Sequence, residues 1–370
     1  MLDQAYDAIV IGARVAGATV AALLGDAGYR VLLVDRASFP SATLSTHFFR
    51  GAGLLAVLSR LSILDRILAL DAPPLRHCYY YSEETDLPIV GPPQEPGALG
   101  YCLSVRREPL DALLLQRAAS SLPVDVGEHI SAAALLWEGT RVVGACLVTP
   151  DGPREVHARI VIGADGRHSF VARAVAVPAE EVAPASRALY YQYMRGFPGP
   201  DGLKPDGAEF SQRGDELAYI FPSDAGMTCV ALSINLADFA WLRVAPEERF
   251  HEHLARHAGL AERVAAAEPE GPVLGCGPHP NYVRVPAGTG WALVGDAGLH
   301  QDPWSGLGMD MASVHATYLA ESLISWFSQS MSELEALASY HQRRNAHARE
   351  GYHRTITLAR DLRQLKRSLN

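Results

Sequence analysis

The chain has 370 residues, of which 48% are hydrophobic and 20% charged, enough for one large domain or two interlocked domains with substantial cores. Its net charge of -9 argues against nucleic acid or an anionic membrane surface as a general partner. No apolar run reaches the roughly 18 residues of a transmembrane segment, and no signal-peptide pattern precedes the first strand, so we expect a cytoplasmic protein. The five cysteines are scattered without a CxxC pair, which predicts free thiols and no metal site.

The N-terminal residues carry the pattern of a βαβ unit that binds a dinucleotide. Short apolar strands are predicted over residues 6–11 and 30–34, and the first leads into Gly12-Ala13-Arg14-Val15-Ala16-Gly17. The second strand ends at Asp35, followed by Arg36, and an acidic residue there suits a ribose hydroxyl. Arg14 stands in place of the middle glycine, so its side chain either points away from the phosphates or flanks them as a counter-ion. The alternative is that Gly12 and Gly17 only close a strand–helix turn in an α/β protein that binds nothing.

The middle of the chain alternates between helical and strand-like segments. Helices are predicted over residues 51–70 and 107–122. Residues 73–104 are aromatic and interrupted by proline and glycine, which favours strands that leave the nucleotide-binding domain. A later strand, residues 159–162, returns to the nucleotide-binding sheet and is followed by Asp165 and Gly166. Alternating runs within residues 186–285 predict an antiparallel sheet for substrate binding.

A loop near the end of the chain is the most informative stretch. It joins an apolar strand, residues 291–294, to a long helical pattern from Met309, and it reads Gly295-Asp296-Ala297-Gly298-Leu299-His300-Gln301-Asp302-Pro303-Trp304-Ser305-Gly306-Leu307-Gly308. A helix start carries unpaired N–H groups and a partial positive charge, so it suits an anionic group. A second ligand-holding loop so far from the first is what FAD needs, because the far end of this long cofactor must be held separately.

The residues from position 343 onward are basic, with eight Lys and Arg side chains against two acidic ones. We expect an exposed terminal helix there; the alternative is a docking surface for an acidic partner.

Together the three motif segments resemble the FAD-dependent aromatic hydroxylase superfamily, the single-component flavoprotein monooxygenases, whose fold also serves geranylgeranyl reductases and flavin-dependent halogenases. The resemblance implies an α/β fold in which a Rossmann-type FAD-binding domain with a parallel sheet is interlocked with an antiparallel-sheet substrate domain, followed by a helical C-terminus. We expect the FAD-binding domain in residues 1–72, 105–185 and 286–328, the substrate-binding domain in 73–104 and 186–285, and C-terminal helices in 329–370. The matching positions are Gly12, Gly17, Asp35, Asp165, Gly166, Gly295, Asp296, Pro303, Gly306 and Gly308.

The resemblance also implies roles for these positions. The N-terminal glycines hold the pyrophosphate, with Arg14 and Ala16 beside them, and Asp35 with Arg36 lies at the ribose. The Asp165-Gly166 segment lies near the pyrophosphate and is implicated in nicotinamide cofactor use. Gly295 and Asp296 bind the ribityl chain, Pro303 lies beside the isoalloxazine, and Gly306 to Gly308 face its N1/O2 edge. Arg107 is either an FAD contact or a solvated arginine in a first helical turn.

Four residues are candidates for catalysis: Pro303, Trp304, His47 and Tyr219. Trp304 either walls the flavin site or packs within its loop. His47 is either a proton relay or substrate ligand, or a hydrogen-bonded structural histidine. Tyr219 belongs to a set of alternating aromatic side chains that either line an apolar pocket or form core.

The function implied by the resemblance is that of an FAD-dependent monooxygenase. It would use NADH or NADPH, or a separate flavin reductase, and molecular oxygen to hydroxylate or epoxidise an apolar, aromatic or polyketide-like small molecule through a flavin C4a-hydroperoxide. The alternatives are a flavin-dependent reductase of carbon–carbon double bonds, like the geranylgeranyl reductases, and a non-catalytic FAD-binding scaffold. Halogenation is not expected, since the halogenases need a lysine near the flavin domain and this chain has only Lys204 and Lys366.

Overall fold

The computed structural model describes residues 5–45, 47–83, 85–92 and 99–368 of the chain. Its strands are β1 (Ala5–Ile11), β2 (Val31–Val34), β3 (Phe48–Phe49), β4 (His77–Ser82), β5 (Thr85–Gly91), β6 (Leu103–Ser104), β7 (Val124–Gly127), β8 (Ser131–Glu138), β9 (Arg141–Thr149), β10 (Gly152–Gly163), β11 (Ala179–Ala183), β12 (Arg187–Arg195), β13 (Gly207–Arg213), β14 (Glu216–Pro222), β15 (Met227–Asn235), β16 (Glu268–Cys276), β17 (Asn281–Arg284), β18 (Ala287–Gly288), β19 (Trp291–Leu293) and β20 (Leu299–His300). Its α-helices are α1 (Val15–Asp26), α2 (Ala56–Arg60), α3 (Leu64–Leu68), α4 (Arg107–Ala119), α5 (Phe170–Ala174), α6 (Phe239–Leu242), α7 (Pro246–Leu254), α8 (Leu260–Ala265), α9 (Gly308–Phe327) and α10 (Glu333–Ala359).

The first large sheet has the order β18-β19-β10-β1-β2-β7, and β9 and β8 extend it from β10. The central pairs β19–β10, β10–β1, β1–β2 and β2–β7 are parallel. Strand β2 consists of Val and Leu residues that are all buried, as expected for a parallel strand covered on both faces. Helix α1 is also buried over almost its whole length and packs against α9 and α4. The parallel-sheet α/β prediction is therefore confirmed.

The second large sheet has the order β16-β12-β15-β14-β13-β4-β5 and is antiparallel except for the pair β13–β4. Along β12, Tyr191 belongs to one core cluster and Tyr190 to another, so the two faces of the sheet are buried against different elements. One face is covered by α7 and α8, and the other meets Phe48 and Trp304 from the side of the first sheet. The antiparallel sheet predicted from the alternating runs is present, while the domain boundaries stay predictions.

Two smaller sheets connect these layers. Strands β3 and β6 pair with each other, and β11, β17 and β20 form a three-stranded sheet. Strand β20 lies within the loop of residues 295–308, so this loop is held by pairing with β17 as well as by its two ends.

The single helix predicted over residues 51–70 is interrupted. A π-helical turn, Gly51–Leu55, precedes α2 and α3, and Gly53 has non-helical angles of φ -98 and ψ -114. A side-chain carbon at Gly53 would overlap with the carboxylate of Asp310 from α9, and that carboxylate accepts the N–H of Leu54. The break arises because an acidic residue distant in sequence packs into this turn, which local periodicity does not reveal.

The C-terminal helix α10 is not simply an exposed basic helix. It begins with a capping box between Ser332 and Glu335, packs along α9 and contacts β18 at the edge of the first sheet. Arg344 is buried, and its guanidinium donates to the carbonyl of Arg284. Arg349, Arg354 and Arg363 are exposed, in line with the expected exposed terminal helix, whereas the charge of Arg344 satisfies buried backbone carbonyls. Among the described residues, no helix is both long and apolar enough to span a membrane.

Candidate functional site

The glycine turn after β1 brings the start of α1 close to the edge of the parallel sheet. Gly12 has a φ of +105, and a side chain on it would overlap with the carbonyl of Ala164. A side chain on Gly17 would overlap with the carbonyl of Gly12. Both predicted glycines are therefore required by close packing of strand and helix. Helix α1 has no side-chain cap and no acidic residue in its first turn, so its free N–H groups and positive end suit a diphosphate.

Arg14 does not point into solvent but is held by a buried carboxylate. Its Nη1 lies 2.8 Å from Oδ2 of Asp111, whose side chain is fully buried in α4. The Nη2 of Arg107 lies 2.9 Å from the same oxygen. Arg14 also donates to the backbone and hydroxyl oxygens of Ser41 and lies over the ring of Phe39. Arg14 and Arg107, which are both predicted FAD contacts, thus share the carboxylate of Asp111. The cluster of these three side chains has one net positive charge beside the start of α1.

The carboxylate of Asp35 is engaged with the backbone around the same turn. It accepts N–H groups of Ala13 at 2.8 Å and Ala37 at 2.9 Å, while Arg36 next to it is exposed. Asp35 therefore fixes the position of the glycine turn relative to β2. Its predicted contact with a ribose hydroxyl stays a prediction.

Asp165 and Gly166 form a tight turn after β10. One oxygen of Asp165 accepts the N–H groups of Phe170 and Val171 at the start of α5, while Oδ1 is buried without a hydrogen-bond partner among the described residues. Burial raises the pKa of this carboxyl group. Gly166 has a φ of +75 and open space where a side chain would lie. An unused buried oxygen beside an open backbone turn is suited to a polar ligand.

The loop of residues 295–308 lies directly against α1. Gly295 has a φ of +62, and a side-chain carbon there would lie 3.0 Å from Cβ of Ala16. Asp296 is exposed, and Gly306 has a φ of +67. Helix α9 then begins at the exposed Gly308 without a side-chain cap. The structure thus brings together two helix starts that the sequence separates by almost the whole chain, and both offer free N–H groups.

Contacts with neighbouring elements fix the middle of this loop. Arg50 donates to the carbonyls of Ser305 and Gly306, at 3.1 and 3.3 Å. Trp304 donates from Nε1 to the carbonyl of Thr355 in α10, and its own carbonyl accepts the hydroxyl of Tyr219 at 2.8 Å. Trp304 and Tyr219 are both buried, so their observed contacts position the segment that starts at Pro303.

Aromatic side chains cover the face of the second sheet that meets this loop. Phe48 stacks on Phe221 with 4.7 Å between ring centroids. The rings of Tyr191, Tyr193, Tyr219, Phe210 and Tyr80 belong to or pack against the same cluster as Phe48 and Trp304. This arrangement gives an aromatic, water-poor surface next to the proposed flavin end of the loop.

His47 lies where this aromatic face meets the first sheet. Its ring is buried, Nε2 lies 2.8 Å from the hydroxyl of Tyr193, and Nδ1 has no partner among the described residues. Burial, with smaller contributions from Arg107 and Arg106, lowers the pKa of His47 to about 3, so the imidazole is neutral at physiological pH. A neutral ring with one free nitrogen can accept or donate one hydrogen bond to a ligand.

Sequence reasoning missed three residues of this region. Asp111 could have been noticed because it lies four residues after Arg107, on the same side of a helix. Asp302 could have been noticed as an acidic residue directly before Pro303, the pattern of a capping residue. Gln301 gives no local signal, since only the fold shows that its amide is buried and has no hydrogen-bond partner in the part of the chain that the structure describes.

The chain resembles known proteins along most of its length. The family described as "FAD binding domain" matches residues 5–194. Digeranylgeranylglycerophospholipid reductase 2 of Methanothermobacter thermautotrophicus is 29% identical over 333 residues, which cover 85% of this chain and 77% of that protein.

Solved structures agree in fold. The myxobacterial chondrochloren halogenase CndH superposes with a TM-score of 0.85 at 22% identity, covering 95% of this chain and 82% of the other. PqsL, a probable FAD-dependent monooxygenase from Pseudomonas aeruginosa, superposes with a TM-score of 0.79 at 22% identity and covers 96% of each chain.

The residues present fit FAD. Donors for a diphosphate come from the glycine turn, from the uncapped starts of α1 and α9, and from the Arg14–Asp111–Arg107 cluster. The free oxygen of Asp165 is an acceptor for a hydroxyl group. The match to the family covers half of the chain and includes β1, α1 and β2, so the predicted resemblance is confirmed. The chain belongs to the FAD binding domain family and is an FAD-dependent oxidoreductase.

Proposed function

We propose that this protein is an FAD-dependent monooxygenase that hydroxylates or epoxidises a small aromatic or polyketide-like compound. The observation that carries the proposal is the buried aromatic face of the second sheet, which packs against the loop segment that starts at Pro303. The rings of Tyr191, Tyr193 and Phe221 on this face would suit contact with a flat, apolar ring.

Most of the residues that would hold FAD are predicted ones, and Asp111 joins them. Gly12, Gly17 and the Arg14–Asp111–Arg107 cluster would bind the diphosphate, Asp35 the ribose, and Gly295 with Asp296 the ribityl chain. The positive end of α9 would stabilise negative charge at the reactive end. When bound, FAD supplies electron transfer and the reaction with molecular oxygen.

The remaining residues would prepare the pocket. The hydroxyl of Tyr219 holds the loop by the carbonyl of Trp304, and the indole of Trp304 ties the loop to the carbonyl of Thr355 in α10, so the wall of the site is set before a substrate arrives. The aromatic side chains exclude water, and the neutral imidazole of His47 offers one free nitrogen to the substrate. NADH or NADPH, or a separate flavin reductase, would supply the electrons.

A reductase of carbon–carbon double bonds is the second candidate. It is favoured by the 29% identity to digeranylgeranylglycerophospholipid reductase 2, which covers most of both chains. Halogenation is less well supported, because Lys204 is exposed in the loop before β13 and lies outside the first sheet.

The test uses the FAD-loaded protein with a panel of phenols, naphthols and prenylated lipids. A monooxygenase would oxidise NADH or NADPH faster with one of these compounds and would place one atom of isotopically labelled oxygen in the product. Anaerobic saturation of a double bond, with no label incorporated, would establish the reductase instead. If no compound were converted, either with NAD(P)H alone or with an added flavin reductase, both activities would lose support and a non-catalytic FAD-binding scaffold would be favoured.

A further inference from the structure

The last helical turn that the structure describes lies on the aromatic face of the second sheet. Helix α10 ends at Ala359, and a short 3-10 helix, Leu362–Ser368, follows it; we call this helix the C-terminal turn. Leu362 is fully buried and Leu365 is 9% exposed, and both belong to the same core cluster as Trp304. The C-terminal turn therefore occupies part of the surface that we assign to the substrate.

Only one side of the C-terminal turn is buried. Side chains three positions apart lie on the same side of a 3-10 helix, so Leu362 and Leu365 form one apolar row. Arg363 and Gln364, which lie between them, are exposed. An element that buries so few side chains belongs to the least stable part of a fold, so it opens more readily than the sheet beneath it.

Polar contacts fasten the C-terminal turn to the hairpin of β13 and β14. The backbone N–H of Leu362 donates to Oδ1 of Asp215 at 2.7 Å, and its carbonyl accepts the amide Nε2 of Gln212 at 2.6 Å. The buried Arg187 on β12 donates to the same oxygen of Asp215 at 3.1 Å and to the carbonyl of Ala359 at 3.4 Å. We call Gln212, Asp215 and Arg187 the latch, because these three side chains join the end of the chain to the second sheet.

The end of α10 is held independently of the C-terminal turn. Trp304 donates from Nε1 to the carbonyl of Thr355, which is buried, and Tyr352 one turn earlier is also buried. Arg360 is exposed, and residue 361 lies outside both helices. The C-terminal turn can therefore move about residues 360 and 361 while α10 stays in place.

We propose that the C-terminal turn is a cover that competes with the substrate for the aromatic face. Without a bound compound, Leu362 and Leu365 occupy this face and the latch holds them there. An apolar aromatic compound displaces them, and the turn returns when the compound leaves. The inference rests on the proposed function for the identity of the aromatic face as the substrate site, but not on whether oxygen or hydride is transferred.

Competition between the turn and the compound has a quantitative consequence. The compound binds only to the open form, so its apparent dissociation constant equals the intrinsic constant divided by the fraction of open molecules. A change that weakens the closed form raises this fraction and tightens binding. Loss of a side chain that contacts the compound directly would weaken binding instead.

The first experiment measures the binding of indole, a soluble apolar aromatic probe, to the FAD-loaded protein by equilibrium dialysis. Gln212→Ala removes one latch contact and should bind indole about fivefold more tightly than the natural protein. Leu365→Ala shortens the apolar row and should show at least the same gain. The control is Gln342→Ala, at an exposed glutamine of α10, which should leave the affinity unchanged. Equal or weaker binding in both test variants, or no binding of indole to any of these proteins, would overturn the proposal.

The second experiment needs no variant and follows the exchange of backbone amide hydrogens with and without saturating indole. A bound ligand ordinarily slows exchange in the elements that it contacts. We expect the opposite for residues 361–368: the N–H of Leu362, which Asp215 holds, should lose its protection when indole is bound, while α10 keeps its protection. Unchanged or slower exchange in residues 361–368 would show that the C-terminal turn is a fixed wall and not a displaceable cover.

The two experiments also separate this inference from the proposed function. Oxygen incorporation by a protein whose C-terminal turn stays protected would support the monooxygenase and remove the cover. Displacement of the turn by indole, without conversion of any tested compound, would keep the cover and remove the proposed reaction.

Discussion

Replacing Arg14 by glycine restores the middle glycine of the dinucleotide fingerprint, and the structure predicts that this change weakens the protein. The fingerprint alone predicts tighter FAD binding, because glycine allows the closest approach of the backbone to a diphosphate. In the structure, however, Arg14 forms one of the two ion pairs that balance the buried carboxylate of Asp111. The two lines of reasoning therefore predict opposite results.

The magnitude follows from this pair. A hydrogen bond between charged groups contributes about 1.5–3 kcal/mol, and the side chain of Arg14 is 26% exposed, which favours the lower part of that range. We expect the free energy of unfolding of the apoprotein to fall by about 2 kcal/mol. The dissociation constant of FAD should rise about tenfold, because the cluster of Arg14, Asp111 and Arg107 loses its net positive charge.

Urea unfolding of the apoprotein and titration of the apoprotein with FAD, followed by flavin fluorescence, measure the two effects. The matched control is Arg117→Ala in the same helix as Asp111, since Arg117 pairs with the more exposed Asp26 at the far end of α1. It should lower stability by less than about 1 kcal/mol and leave FAD affinity unchanged. FAD binding to Arg14→Gly that is as tight as in the natural protein, or tighter, would show that Arg14 does not support the cofactor site.

Three further predictions concern the glycine turn, the ribityl-binding loop and His47. Gly17→Ala should lower the melting temperature severely, because its methyl group would overlap with the carbonyl of Gly12. Gly308→Ala is the control, since its methyl group meets open space, and it should melt within a few degrees of the natural protein. Equal melting temperatures of the two variants would contradict the required close packing at Gly17. Asp296→Ala should weaken FAD retention in gel filtration. It should leave the stability of the apoprotein unchanged, because the Asp296 side chain is exposed. Unchanged retention of FAD would show that Asp296 is not part of the site. The folded-state pKa of His47, about 3, lies below the unfolded value of 6.5, so its contribution to stability is full above pH 6.5 and is lost as the pH falls toward 3. Between pH 7 and pH 5 the natural protein should lose about 2 kcal/mol that His47→Gln does not lose, as measured by urea unfolding at each pH; parallel losses would show that His47 does not titrate in this way.

The site residues that could be predicted from the sequence lie within single turns or at the ends of single elements. Gly12 and Gly17 flank one turn, Asp35 ends one strand, and Gly306 and Gly308 precede one helix, so spacing and residue type suffice to place them. The ion pair between Arg14 and Asp111 joins residues 97 positions apart, and the bond between Tyr193 and His47 joins residues 146 positions apart. The first pair depends on the packing of α4 against α1, and the second depends on how the second sheet meets the segment before β3.

The burial of polar side chains is also difficult to predict from the sequence, because it depends on contacts between distant segments. The sequence shows Asp302 and Gln301 as two polar residues in a glycine-rich loop, where solvent exposure is the natural expectation. Only the pairing of β20 with β17 and the contacts of Trp304 turn that loop inward and leave these polar groups buried. Asp310 is a similar case. In sequence it is a residue in the first turn of α9, but in the structure its carboxylate packs against Gly53 and Leu54 and interrupts the helix predicted over residues 51–70.

His47 combines backbone strain with burial, and the two together argue for a role of its ring. Its φ of 61 lies in the left-handed region, which costs a residue with a side chain about 1–2 kcal/mol and which glycine or asparagine would adopt more easily. The conformation is held from two sides, by the N–H of Val105 on the His47 carbonyl and by the hydroxyl of Tyr193 on the ring. If only the turn mattered, glycine would satisfy it without burying an imidazole nitrogen that lacks a partner among the described residues. The strain is therefore better explained by the need to place a neutral imidazole where the parallel sheet meets the aromatic face of the second sheet.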